Sequence, residues 1–404
     1  MTPTRNTWNF FAPDRLLFGS GAVRETGRAA VRLGVKRLLI ITDATLVQVG
    51  IVNQVRQSLL DAGLAVEVFD GGEPEPAFAC AEAAIAAAKA YQPDALIGVG
   101  GGSNMDLAKI TAGVLTHGGT FQDYFHFDNI PGPVLPLICI PTTAGTGSEV
   151  SHAAVLTDHA AGVKVSTLSP YLRPTLAIVD PELTISCPRQ ATADSGIDAL
   201  THAIEAYLAT DFHEIEAPAS GIPAYEGRHP LGSLFAEEAI RLVGKHLVTA
   251  VLDPKNILAR EGMALAATLA GLAFSNCGVA LVHAMEYPLG GVLHCSHGAG
   301  NGLLLPYVMR FNLPYRLSQL SRVAELLGVD ISELSEEEAA DAAIHKVDEI
   351  RATIGVPTRI RELGGVVEQI PDFAAKAYAI KRLMTLTPRP VTLELIEEIY
   401  REAM

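Results

Sequence analysis

The sequence predicts two structural classes in one chain: an α/β domain on a parallel sheet over 1–187, and an all-α domain over 188–404. Short apolar runs alternate with amphipathic stretches through the first half, the pattern of a parallel sheet covered on both faces. After about Ser186 long Ala-, Leu- and Glu-rich stretches at helical period take over. Pro188 lies near the change.

Taken in order, Arg37 to Thr42 (RLLIIT) reads as a strand and Thr45 to Ala62 as a helix. Ala65 to Phe69 is strand-like, and Ala-rich Ala77 to Lys89 reads as a helix. Ala95 to Val99 is a buried strand, followed by a glycine cluster and a helical stretch to about Thr116. Leu135 to Ile140 and Thr175 to Val179 read as further strands. Helical periodicity then marks Ala191 to Ala209, Leu234 to Val251, Leu258 to Phe274 and Glu336 to Thr353. Asp211 to Gly232, rich in Pro and Gly, lacks periodicity and reads as a long loop of the kind that is usually functional or disordered.

Composition narrows the function classes. The 404 residues are 49% hydrophobic and 19% charged, with 30 Lys plus Arg against 45 Asp plus Glu, a formal charge of −15. That balance argues against nucleic-acid and anionic-membrane partners, because no basic run is set aside for phosphates. Five scattered cysteines without CxxC spacing fit a reducing, cytoplasmic compartment and argue against a disulfide scaffold. Met263 to Val282 is uncharged over spanning length, about 20 residues. It holds more Ala, Gly, Thr, Ser and Asn than Leu, so a buried helix of a large domain is the better account. No signal-peptide apolar region is evident at the N-terminus.

Two loops carry phosphate-binding chemistry. GVGGGSNMD, Gly98 to Asp106, follows a strand and opens a helix. Its glycines let the backbone approach a diphosphate, and the helix start supplies free N–H groups. Ser103 is expected as N-cap, with Asp106 as its capping-box partner. The strict G-x-G-x-x-G is not met, and an ordinary capped turn explains the run equally well. The acid best placed for the adenosine ribose, Asp43, ends a strand before this loop, which implies a strand order other than the usual one. PTTAGTGSE, Pro141 to Glu149, is a second donor-rich loop at a strand's carboxyl end. Two such loops on one sheet favour a dinucleotide.

Asp198 and His202 stand at i and i+4 on one predicted helix face. With His283 and His297 they make one carboxylate and three imidazoles, a donor set for Zn(II) or Fe(II). A structural role fits the i,i+4 pair about as well, and His294 is a weaker alternative ligand.

These residues together resemble the iron-dependent (group III) alcohol dehydrogenase family. GGGSNMD at 100–106, PTTAGTGSE at 141–149, GIDALTHAIEAY at 196–207 and HAMEYPLGG…SHG at 283–298 match its signatures in order. The resemblance starts at FFAPDRLLFGSGA (10–22) and covers nearly the whole chain. It implies an N-terminal dinucleotide domain and a helical metal-binding domain of the dehydroquinate synthase-like type, with the metal in the cleft between them. Asp198, His202, His283 and His297 would be the ligands of Fe(II), with Zn(II) the other ion the set accepts. Gly101, Gly102 and Ser103 would meet the pyrophosphate of NAD. Thr142, Thr143 and Thr146 would line the cofactor cleft, with Asp106 in the same loop region and Lys164 nearby. Asp43 at the ribose would repel a 2′-phosphate, which favours NAD over NADP. A homodimer or larger assembly is also implied.

Two positions depart from the family pattern. Tyr287 stands where members carry a histidine near the nicotinamide, and its reference pKa of about 10 makes it a poor proton relay. Glu75, in EPEP, stands where many members have Asn. With the 211–232 loop, Tyr287 gives the chain features of the hydroxyacid–oxoacid transhydrogenase branch. The expected reaction is interconversion of a primary alcohol and an aldehyde by hydride transfer. The alternatives are a transhydrogenase of the 4-hydroxybutyrate type and, behind it, a non-redox NAD- and metal-using lyase.

Overall fold

A computed structural model describes residues 5–159, 162–216 and 221–404. Contacts divide it into two compact units. One is Phe11–Cys187, and the other is Pro188–Met404 together with the stretch ending at Phe10.

The first unit is organised by its strands: β1 (Arg15–Phe18), β2 (Arg37–Ile41), β3 (Ala65–Phe69), β4 (Ala95–Gly100), β5 (His126–Phe127), β6 (Leu137–Pro141), β7 (Ala153–Asp158), β8 (Val163–Leu168) and β9 (Leu176–Val179). Six of them form a sheet in the order β1-β9-β6-β4-β2-β3. Every pairing in it is parallel. Side chains alternate between faces along a strand. Leu38, Ile40, Ile97 and Val99 therefore pack on one side, and Leu39, Ile41 and Leu96 on the other. Burial on both faces is why these strands read as unbroken apolar runs.

Helices α1 (Thr26–Arg32), α2 (Ala44–Gln48), α3 (Ile51–Asp61), α4 (Phe78–Tyr91) and α5 (Gly102–His117) connect the strands. The single helix expected over 45–62 is two, because Gly50 adopts φ 83 between them, a conformation that ends a helix. A small second sheet, β5-β8-β7, was not legible in the sequence. It pairs β7 and β8 antiparallel and carries Lys164.

The second unit is helical among its described residues: α6 (Arg189–Leu208), α7 (Pro230–Leu252), α8 (Ile257–Cys277), α9 (Leu281–Leu293), α10 (His297–Asn312), α11 (Leu317–Leu326), α12 (Glu336–Ile354), α13 (Ile370–Ala379), α14 (Lys381–Leu386) and α15 (Leu393–Ala403). Among the described residues only α8 is long and apolar enough to cross a membrane, and 72% of its most apolar window is buried inside the protein. It packs on α6 and α7. The uncharged stretch 263–282 is not one helix, since it breaks at Gly278 (φ 106) before α9.

Of the expected 211–232 loop, residues 217–220 lie outside the described residues. The rest holds a short turn at Phe212–Glu214, an Arg228–Asp211 ion pair and the first turn of α7. Residues 5–10 pack with the helical unit instead of the sheet. Glu226 is only 2% exposed, and a buried carboxylate needs partners. Arg5 supplies an ion pair, and the Asn9 amide donates to it at 2.8 Å. Trp8 stacks on His229 at 4.3 Å.

Candidate functional site

In the first unit, the carboxyl ends of β2, β4 and β6 gather the predicted dinucleotide residues. The backbone N–H of Thr142 donates to the Gly100 carbonyl at 2.9 Å, which joins the two loops. Gly102 is needed for their approach: a Cβ there would sit 2.9 Å from the Thr146 methyl. A Cβ at Gly101 would have 3.7 Å to the Thr143 hydroxyl. Asp43 caps α2, accepting from the Leu46 N–H at 3.0 Å, and accepts from the Asn104 amide at 2.8 Å. It therefore lies beside the glycine loop, one strand over.

The expected capping box does not form. The N-cap is Gly101, without a side-chain cap, so Ser103 lies within the first turn. Asp106 turns instead toward the second loop, accepting from Ser148 Oγ at 2.6 Å and the Val155 N–H at 2.9 Å. The competing interaction is stronger because Lys109, fully buried, needs a carboxylate near it. Its ammonium lies 3.7 Å from Asp106 and donates to Ser148 Oγ at 2.7 Å, Ser151 Oγ at 3.2 Å and the Ala153 carbonyl at 2.8 Å. Burial raises the Asp106 carboxyl and lowers the Lys109 ammonium. Sequence reasoning missed Lys109; its signal was a lysine on the apolar face of the helix that the glycines open. Lys164 pairs with Glu75 at 3.0 Å, and the Glu75 N–H donates to Ser103 Oγ at 3.3 Å. The departing residue Glu75 thus connects Lys164 to the glycine loop.

In the second unit, α6, α9 and α10 converge on the predicted metal residues. Asp198 and His202 project from α6, His283 from the first turn of α9, and His297 opens α10. One donor atom from each of the four lies within 4.8 Å of the others. Ligand bonds of about 2.0–2.2 Å around a tetrahedral ion would set such atoms about 3.3–3.6 Å apart, so a bound cation would draw the widest of them inward. Asp198, His202 and His283 are buried, at 2%, 4% and 2% exposure. His294 caps the end of α9 and is not in the group.

The surroundings fit a cation. His283 Nδ1 is 2.5 Å from Glu205, which also accepts the Val282 N–H at 2.7 Å. His297 Nδ1 pairs with Glu286. Each carboxylate accepts a hydrogen bond from Nδ1–H and leaves the Nε2 lone pair available to a metal. His202 stacks between Phe274 and His283, at 4.2 and 4.8 Å. Burial acts to raise the Asp198 carboxyl, but the three imidazoles and the Asn301 amide outweigh it and hold it below its ordinary value. The Tyr287 ring lies 6.1 Å from that of His297.

Glu205, Glu286 and Asn301 were missed in the sequence. Each stands one turn after a ligand: three residues after His202, three after His283 and four after His297.

A parallel open sheet with two donor-rich loops and a largely buried group of three imidazoles and one carboxylate fits a metal-dependent enzyme that uses a dinucleotide. Residues 13–181 match the family "Iron-containing alcohol dehydrogenase", and 224–404 match "Fe-containing alcohol dehydrogenase family, C-terminal". The NAD-dependent methanol dehydrogenase of Bacillus methanolicus is 37% identical over 98% of this chain and 100% of its own. Long-chain-alcohol dehydrogenase 1 of Geobacillus thermodenitrificans is 38% identical, covering 95% and 94%. A crystal structure of a 1,3-propanediol oxidoreductase superposes with TM-score 0.92 at 35% identity, covering 99% and 100%. The chain belongs to the iron-containing alcohol dehydrogenase family.

Proposed function

We propose that the chain interconverts a primary alcohol and its aldehyde, with NAD(H) carrying the hydride. Asp198, His202, His283 and His297 hold a divalent iron ion. Asp43, Gly101, Gly102, Ser103, Thr142, Thr143 and Thr146 hold the dinucleotide, with Asp106 and Lys164 supporting the loops. The observation that carries this reading is the group of four donor atoms within 4.8 Å of one another. Bound there, an ion would supply Lewis acidity toward an alcohol or carbonyl oxygen, and a dinucleotide held by the two loops would supply the hydride donor or acceptor.

The remaining work falls to the chain's own side chains. Glu205 and Glu286 fix the tautomers of two ligands. The glycine and threonine loops orient the cofactor. Tyr287, with the high ordinary pKa of a phenol, does not act as a general base at neutral pH.

The test is NADH oxidation against a panel of short aldehydes and keto acids, with metal content measured alongside. Wild-type protein should reduce aldehydes, and His283→Ala should lose bound metal and turnover together. Turnover by a rigorously metal-free variant would overturn the metal's role. Conversion of 4-hydroxybutyrate with 2-oxoglutarate and no added NAD would replace this reading with a transhydrogenase.

A further inference from the structure

We propose that Glu75 sets the affinity of the cofactor site: its carboxylate places a negative charge beside the loop that would receive an anionic dinucleotide, and so keeps that cofactor exchangeable. This rests on the dinucleotide reading above. The Glu75 N–H donates to Ser103 Oγ at 3.3 Å, and its carboxylate lies 3.0 Å from the Lys164 ammonium. Ser103 belongs to the first turn of α5, where free N–H groups would meet a pyrophosphate. The carboxylate therefore stands within one side chain's length of the glycine loop. Its segment is tied down, because the Pro76 carbonyl accepts the Thr157 N–H at 2.9 Å and Thr157 on β7 is the register partner of Lys164 on β8.

Two observations indicate that glutamate is kept here for its charge. Glu75 has φ 52, in the left-handed region that glycine and asparagine adopt more readily than glutamate. Pro76 after it favours an extended backbone instead. Strain of this kind persists where function requires the residue. The ion pair does not offset it as stability, because the Glu75 side chain is 40% exposed and pairs open to water contribute little. The second observation is the partner. The Lys164 side chain is only 4% exposed, so the carboxylate cancels a positive charge that would attract phosphate. Glutamine in its place raises the local charge by one unit, whatever else Lys164 touches. A pyrophosphate carries two negative charges, so a dinucleotide binds the more positive site more tightly.

NADH is the probe. Its fluorescence is followed on titration into the protein without substrate, so turnover plays no part. Glu75→Gln should bind NADH about 3- to 30-fold more tightly than wild type at low ionic strength, and the gap should close toward about 1 M salt. Glu75→Asp keeps the charge and should stay nearer to wild type than to Glu75→Gln. If the glutamine variant folds poorly, Glu75→Asn, whose side chain suits this backbone, carries the same expectation. NADH affinity within twofold of wild type, or weaker, overturns the proposal, since the carboxylate would then be indifferent to the cofactor or a partner of it. So does a gain that salt leaves untouched, or one that Glu75→Asp reproduces in full. Wild-type protein that binds neither NADH nor NADPH overturns the dinucleotide reading itself, and Glu75's role with it.

Discussion

Glu205 accepts hydrogen bonds from the His283 ring and from the Val282 N–H, so one carboxylate both orients a ligand and tethers the start of its helix. Glu205→Gln keeps the volume and removes the charge. Metal retained after dialysis should fall, with affinity down about 10- to 100-fold, while the fold persists. Asp43 carries a different prediction. Asp43→Gly should raise the NADPH-to-NADH ratio of kcat/KM by about tenfold or more, since the repulsion of a 2′-phosphate disappears. Losing the α2 cap to glycine costs only a few tenths of a kcal/mol, or about 0.3, so the ratio reports the pocket and not stability. At this scale the candidate donors Asp198 and His202 were legible because they share a helix face at a fixed interval, while the full set of four came from the family resemblance. Glu205, Glu286 and Asn301 were not, because buried carboxylates and amides in helices look like surface polar residues until their neighbours from other helices are known.

Elements meet here through missing side chains. Gly298, at the start of α10, lies so close to α6 that a Cβ would stand 2.0 Å from the Asp194 carbonyl oxygen and 3.2 Å from the Asp198 Cβ. Gly298→Ala must push the two helices apart, at a cost of about 1–3 kcal/mol or more. Because Asp198 and His297 sit on those helices, metal affinity should fall together with the melting temperature, measured with and without added iron. Wild-type affinity in a destabilised Gly298→Ala would refute the link. The parallel strands were legible because burial on both faces writes itself as continuous apolar sequence. The break at Gly50 was not, since one glycine in an amphipathic run is compatible with either one helix or two. The Ser103–Asp106 capping box looked right locally and lost to Lys109, one turn on, and to Ser148 and Val155, which are distant in sequence.

At the scale of the molecule, the class of each half was readable from texture, but the path of the first residues was not. Nothing in Arg5, Trp8 or Asn9 says that their partners are Glu226 and His229. His229 is nearly buried and accepts the Gly232 N–H through Nδ1 at 3.2 Å, capping α7. Burial, with Arg5 adding to it, lowers its pKa from 6.5 to about 4. Between those values the unfolded chain binds the proton and the folded one does not. Its contribution is therefore complete above pH 6.5 and is lost as pH falls toward 4, at up to about 1.4 kcal/mol per pH unit. His229→Asn keeps a capping acceptor that does not titrate. Urea midpoints at pH 7 and 4.5 should differ less in that variant than in wild type; an equal difference would remove His229 from the acid response.

The pairing of Arg5 with Glu226, 221 positions apart, also has a meaning in time. A ribosome adds about 5–20 residues per second, so Arg5 waits roughly 10–45 s after leaving the tunnel before Glu226 follows it. The whole of Phe11–Cys187 emerges during that wait, and the sheet can close while residues 5–10 are still unattached. Residues 5–10 are thus made long before the partners that fix their places, and whatever shields Trp8 and Phe10 from other apolar surfaces in the interval bears on the yield of folded enzyme.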